Sequence, residues 1–365
     1  MSADLSDEIV GAMEAAIHPP EAQGTSLLRV VAETRTMVWN AVAIDNGRVF
    51  VAGPRWTGGR PPLARLNARG QTVAYPDESW NGWHEGLPGR GAFVNVNALH
   101  HDSKGHLWVI DSGTPVFGAD PVSGGAKVVC IDLATDRVAS VFPFASDIAR
   151  AGSYVDDMRI HNDQAYLTDA GRPGIIVLDL TTGISRRVLD DHPATTAPAD
   201  RPIVVAGDML LAPDGTPLRV HSDPLELSPD GQWFYFGPLE GPWSKIETRF
   251  LNDPSLSTEE LGACVMPWAD LPPIGGAVMD AAGNLYFTDL ADSSLKRRDA
   301  DGTISTIVTD PNLHWVDAPF IDEFGAIWLP VPQLDRVALF HGGKSEIQWP
   351  VRLYHMQLPD SPYED

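Results

Sequence analysis

Two cysteines are all that the 365-residue chain contains, and both stand in apolar words, Cys130 in KVVCIDL and Cys264 in GACVMPW. A disulfide framework is thereby excluded, and the pair reads as two buried thiols packed as small hydrophobes. No apolar run approaches the ~20 residues that a membrane-spanning helix requires. The first residues, MSADLSDEIVGAMEAAIHPPEAQG, carry neither a basic stretch nor the apolar core that directs secretion, so a cytoplasmic protein with an N-terminal arm over residues 1–30 is expected. Basic residues are scarce, 26 Lys and Arg against 49 Asp and Glu, for a net charge of −23. That balance repels phosphate backbones and anionic lipid and excludes nucleic acid and membrane surfaces as partners. G-x-S-x-G, a Walker loop and C-x-x-C are missing, which removes the usual serine-hydrolase, NTPase and zinc-cluster chemistries. The expected partner is a small molecule, with no organic cofactor.

What the chain does have is short β-rich runs bounded by Gly, Asp, Asn and Pro, with almost no helical periodicity after the arm. Four segments share a turn glycine followed by an apolar or aromatic strand: HHDSKGHLWVID, LSPDGQWFYFG, MDAAGNLYFTD and IDEFGAIWLPV, turning at Gly105, Gly231, Gly283 and Gly325. AIDNGRVFVAG around Gly47 and RIHNDQAYLTDAG around Asp163 repeat the pattern with a tighter turn. Further strands follow, as in GIIVLDLTTGISRRVL. Six such units predict an all-β chain, a single six-bladed β-propeller of four-stranded antiparallel blades over residues 31–365, whose radial closure leaves only short edges. A pair of β-sandwiches is the other all-β option, and it does not account for the repeat. The Pro-rich DDHPATTAPADRPI, 190–203, falls between hairpins and reads as a surface loop.

The words NGRVFVAGPRWTGGRPPLARL, GHLWVIDSG, AYLTDAGRPGIIVLDLTTGISRRVL and LELSPDGQWFYFGPLEG together resemble the major royal jelly protein and Yellow family, over roughly residues 38–340. The resemblance implies the six-bladed fold and a kinship with the gluconolactonase and senescence-marker lactonases, which place a divalent metal on the propeller axis. Roles within the family are varied, from tautomerisation of oxidised catechols to amine binding and nutrition, so the resemblance implies the fold more narrowly than the activity. The lactonases also carry a Glu in the first blade and an Asp in the fifth, where this chain has Trp39-Asn40 and Gly275-Gly276.

In a propeller the innermost strand of each blade starts beside the central channel, so residues at one offset before each hairpin turn form an axial ring. Eight positions before the turn glycines stand Asn97, Asp223, Gly275 and Asp317, and alignment on the second strands adds Asp157 and, in the first blade, Asn40 beside Ala41. Oxygen-bearing side chains at the starts of apolar strands suit Ca²⁺, Mg²⁺ or Mn²⁺, and the expected metal set is Asn40, Asn97, Asp157 and Asp223. The other reading of the same residues is that they cap backbone groups and hold water in the channel. Strand alternation sets Asn95, His221, Trp315 and Tyr154 one step nearer the channel mouth. His221, whose type titrates near neutrality, is the expected general acid or base, with Asp223 and Asp317. Trp39, Asn95, Tyr154 and Trp315, with Trp56, are the expected substrate walls. Asp111, Asp169 and Asp289, at the ends of second strands, read as turn caps.

Three functions fit this pattern. The first is metal-assisted hydrolysis of a small lactone or cyclic ester, the second is tautomerisation or isomerisation of an aromatic or quinonoid compound, and the third is non-catalytic binding of a cationic amine between tryptophans.

Overall fold

Each hairpin located by its turn forms the inner half of a four-stranded antiparallel sheet, and six such sheets are arranged as the blades of a β-propeller. The computed structural model describes residues 28–359; the expected N-terminal arm lies outside them up to residue 27. Blade 1 comprises Ala41–Asp45, Arg48–Ala52, Leu63–Leu66 and Thr72–Ala74, and blade 2 Val96–His101, His106–Asp111, Lys127–Asp132 and Arg137–Pro143. Blade 3 is Val155–His161, Gln164–Asp169, Ile175–Asp179 and Ser185–Val188; blade 4 is Ser222–Leu227, Trp233–Pro238, Trp243–Glu247 and Met266–Ala269. Blade 5 is Ile274–Met279, Leu285–Asp289, Ser294–Arg298 and Ile304–Thr309. Blade 6 joins the two ends of the chain: Phe320–Ile321, Ala326–Pro330 and Val351–Gln357 are completed by Arg29–Thr34, which pairs antiparallel with Val351–Gln357. That pairing locks the ring, since opening it exposes two strand edges at once.

Period-2 alternation buries both faces of a blade against its neighbours. In blade 2, Ala98 packs toward blade 3 with Met158, Leu167 and Ile176, while Leu99 packs toward blade 1 with Ala43, Phe50 and Leu63. Equivalent clusters fill the other blade junctions, with Phe234 and Phe236 between blades 3 and 4 and Phe287 between 4 and 5. Each fully buried Leu or Phe contributes about 1.5–3 kcal/mol. A separate cluster lies over the channel mouth rather than between blades; it includes Tyr154, Leu218, Val220, Leu239 and Trp315. The long connections, not the blades, supply most of it. Residues 190–203 lie in one of these, outside the propeller sheets, as expected of a surface loop.

Both cysteines are free. Cys130 is buried as expected, whereas Cys264 is only half-buried, its Sγ donating to the Glu260 carbonyl at 3.3 Å. No helix among the described residues is long and apolar enough to cross a membrane.

Candidate functional site

The innermost strands of blades 2 to 5 carry a β-bulge at the same level, between Val96 and Ala98, Val155 and Met158, Ser222 and Leu225, and Ile274 and Ala277. A bulge inserts one extra residue and re-aims its side chain. Here the re-aimed positions face the propeller axis: Asn97, Asp156, Asp223 and Gly275 line the axial cavity with Asn40 and Asp317 from blades 1 and 6. Asp156 stands two residues before Met158 as Asp223 stands two before Leu225, so the blade 3 member of the ring is Asp156 and not the expected Asp157. Asp157 turns below, where its carboxylate accepts from Met158 N at 2.7 Å and pairs with Arg159 at 2.8 Å. Arg159 also pairs with Glu226 at 2.6 Å and donates to the Ala277 carbonyl at 3.3 Å, so it reaches from blade 3 to blades 4 and 5. The glycines of blade 5 have a steric reason. A Cβ on Gly275 would stand 2.1 Å from the Val316 carbonyl oxygen and 3.1 Å from its carbon, so only glycine lets the segment bearing Asp317 approach.

A chain of hydrogen bonds with unambiguous donors orients the ring. Asn95 Oδ1 accepts from the Arg55 backbone N–H at 2.7 Å, so its Nδ2 is the end that donates to Tyr154 OH at 3.1 Å. The Trp56 indole donates to the same hydroxyl at 3.1 Å. With two donors already aimed at it, the Tyr154 hydroxyl must give its own proton elsewhere, and Asn97 Oδ1 accepts it at 2.8 Å. Asn97 therefore turns its Nδ2 toward Asp156 Oδ1, at 2.7 Å. Across the cavity, Trp315 lies in the left-handed region at φ 53°, rare for an aromatic residue, and its indole donates to Asp317 Oδ2 at 3.1 Å. Ala318 N holds the other Asp317 oxygen at 2.9 Å. The Asp223 carboxylate meets no protein donor among the described residues, and Asn40 Oδ1 is a buried acceptor without a partner, its Nδ2 being held by the Asn97 carbonyl at 2.9 Å.

Among the described residues no Lys, Arg or His side chain lines this cavity. Burial, then the charges of Asp223 and Asp317, holds Asp156 well above the usual carboxylate range; burial, then Asp317 and Asp157, does the same for Asp223. Burial pushes Asp317 up to about 7 against the pull of its two donors. The floor of the cavity is thus acidic and poorly solvated, and its walls are apolar: Trp56, Phe117, Leu239, Trp315 and Phe340 among them. The cavity, about 60 Å³, is partly open to solvent.

Of the expected walls, Tyr154 and Trp315 line the cavity, as does Trp56, while three other expectations are corrected. His221 does not line it: its backbone N–H donates to the Ala170 carbonyl, its Nδ1 accepts from Ala197 N at 3.1 Å, and burial lowers its pKa. Asn95 is fully buried behind Tyr154 rather than at the mouth. Trp39 is fully buried at the junction of blades 6 and 1, packed with Val42 and Val51. The cause is common to all three, because the strands begin at Ala41, Val96 and Ser222 and alternation does not continue past a bulge or a strand end.

Glu240 went unnoticed in the sequence. It is fully buried behind the cavity wall, neither carboxylate oxygen has a hydrogen bond, Arg219 lies 3.8 Å away, and burial raises its pKa to about 7. Between pH 4.5 and 7 the unfolded chain gives up this proton while the folded one keeps it, so stability falls as pH rises through that window and stays lower above it. Glu240→Gln, which mimics the protonated form, is expected to match the parent near pH 4 and to exceed it at pH 8 by up to about 3 kcal/mol, read from urea unfolding at both pH values. An equal loss at both would mean that the carboxylate is needed ionised.

Comparison with known proteins gives one family model, described as major royal jelly protein, which matches residues 94–329. No curated protein matches the chain. Solved structures that share the fold include a calcium-binding protein, regucalcin, from Agrobacterium tumefaciens, 14% identical over 90% of this chain and 92% of that one, with a TM-score of 0.52. A gluconolactonase from Xanthomonas campestris is 14% identical over 91% and 89%, also at 0.52. A virginiamycin B lyase from Staphylococcus aureus is 11% identical over 91% and 99%, at 0.50. At such identities the likeness is one of fold.

Proposed function

This chain belongs to the major royal jelly protein family, and on that footing we propose that it is a hydrolase of a small lactone or cyclic ester, working on the mouth side of its axial ring. The observation that carries the reading is the pairing of a floor of three carboxylates, free of any cationic side chain, with apolar walls. An uncompensated acidic floor calls for a cation or for protons.

The donors fit a hard cation by type, since Asp223 lacks a protein donor and Asn40 Oδ1 is orphaned. Among the described residues no three His, Cys, Asp or Glu groups are disposed to ligate one ion, so a site here would draw on Asp223, a second ring carboxylate, Asn40 Oδ1 and water. Asn97 is a poorer ligand than expected, because its oxygen already accepts from Tyr154. Bound there, a divalent ion would supply Lewis-acid polarisation of the substrate carbonyl. The chain's own part is proton transfer. Asp317, held at both oxygens and titrating near neutrality, takes a proton from the attacking water as its oxygen adds to the carbonyl carbon. A protonated neighbour, Asp156, gives a proton to the ring oxygen as the acyl C–O bond breaks, and a hydroxy acid is released. The anionic product is then repelled by the floor that formed it.

Kinship of fold with a gluconolactonase and a calcium-binding regucalcin makes lactones and Ca²⁺ the first compounds to try. Calorimetric titration of chelator-treated protein with Ca²⁺, Mg²⁺ and Mn²⁺, with pH-stat assay of a lactone panel, is expected to show one ion bound per chain and hydrolysis that chelator abolishes. Absence of both would overturn the reading. The second reading, binding of an organic ammonium ion, is favoured by Trp56 and Trp315 beside the same carboxylates, and would show as displacement of the ion by an aromatic amine.

A further inference from the structure

We infer that the substrate is uncharged and poor in hydroxyl groups, a small alkyl or aryl lactone rather than a sugar lactone. The inference rests on the hydrolase reading above and concerns what the cavity admits. Above the floor, the polar side-chain atoms on the walls already have partners. The Trp56 indole is held by the Tyr154 hydroxyl, that hydroxyl by Asn97, and the Trp315 indole by Asp317. The remaining walls are aliphatic or aromatic, Leu218 and Phe340 among them.

A sugar lactone placed here would set one end against the floor and bury its other hydroxyls against carbon. Each hydroxyl stripped of water without a new partner costs about a factor of ten or more in affinity. A hydrocarbon substituent in the same place meets Phe340 and Trp56, themselves in edge contact with ring centroids 6.4 Å apart and planes at 79°. A site that hydrogen-bonds only one end of its ligand discriminates strongly against additional polar groups elsewhere. Charge narrows the class further, because the cavity is lined by three carboxyl groups and, among the described residues, by no cationic side chain that could pair with a substrate carboxylate or phosphate.

The test compares kcat/KM of the intact protein, supplied with divalent ion, for γ-valerolactone, γ-caprolactone and dihydrocoumarin against gluconolactone. The expected result is a preference of at least 100-fold for the hydrocarbon lactones, cut about tenfold in Leu218→Asn, which sets an amide in the wall. Equal rates, or a preference for gluconolactone, would overturn the inference. Should no lactone of either kind be hydrolysed, the hydrolase reading fails by itself, and binding still decides the cavity's preference. Quenching of Trp56 and Trp315 fluorescence by γ-valerolactam but not by gluconolactam upholds that preference, and equal quenching ends it. Should Leu218→Asn fail to fold, the parent's substrate ratio suffices.

Discussion

Replacing Asp223 with asparagine is expected to lower kcat/KM for the best lactone by about 10³-fold and, in chelator-treated protein at pH 8, to raise the Tm by a few degrees. The two effects share one cause. Asp223 is half-buried, and its desolvation together with the charges of Asp317 and Asp157 holds its pKa well above the usual range, while no protein donor among the described residues meets its carboxylate. At pH 8 the folded chain must carry this charge or keep a proton that water would accept, and either costs stability. Asparagine has the same shape and no charge, so the fold is relieved while the group that binds a cation, or shares a proton with Asp317, is gone. Loss of activity with gain of stability is the signature of a residue retained for chemistry. A residue that only capped the strand end would behave in the opposite way, with stability falling and turnover kept. Turnover and calorimetric Tm measured on the same preparation decide it, and kcat/KM within threefold of the parent would sink the assignment.

How far such a site can be read from sequence depends on where its geometry is encoded. The hairpin turns are local: Gly105, Gly231, Gly283 and Gly325 take φ of 83°, 69°, 84° and 73°, a region that glycine alone enters freely, so each turn is marked by residue type. Blade number, strand pairing and the level of Asn97, Asp223 and Asp317 follow from counting between such marks. Blade 3 turns instead at Asn162, with φ 55°, and has no glycine to count from. There the bulge holds two adjacent carboxylates, and sequence offset pointed to Asp157 where the structure brings Asp156 to the cavity. The walls were less legible still. Phe117, Leu218 and Phe340 come from connections between strands, and no periodicity links a loop residue to the axis. The recurring Asp111, Asp169 and Asp289 were read as turn caps, which they are, since each accepts a backbone N–H from the turn that follows it. Their basic partners, Lys127, Arg187 and Lys296, lie on the third and fourth strands of their blades and carry no mark in the turn itself.

Those partners carry the largest expected effect on stability. Lys127→Met should cost about 3–5 kcal/mol, a fall in Tm of about 5 °C for a chain of this size, because Lys127 and Asp111 are both fully buried and bonded at 2.6 Å. The ammonium also donates to the carbonyls of Gly89, Ala92 and Gly125 at 2.8–2.9 Å, so methionine would orphan three acceptors and an ionised carboxylate together. Asp111 in turn accepts from Val94 N and Asn95 N at 2.8 and 2.9 Å, and Asn95 supports Tyr154; the clamp therefore reaches the wall of the cavity through two hydrogen bonds. Blade 3 repeats the device, with Arg187 bonded to Asp169 at 2.6 Å and Asp169 holding Tyr154 N at 2.8 Å. Blade 5 has it in a wetter form: Lys296 pairs with Asp289 at 2.5 Å but is 19% exposed and shared with Asp292. Water can replace the lost partner there, so Lys296→Met is expected to cost no more than about 1 kcal/mol. Urea unfolding of the two variants side by side tests the argument. If they lose equal stability, burial is not what gives the blade 2 clamp its strength; if Lys127→Met alone collapses the transition, the propeller is held at Asp111 by a charge that nothing but Lys127 can compensate.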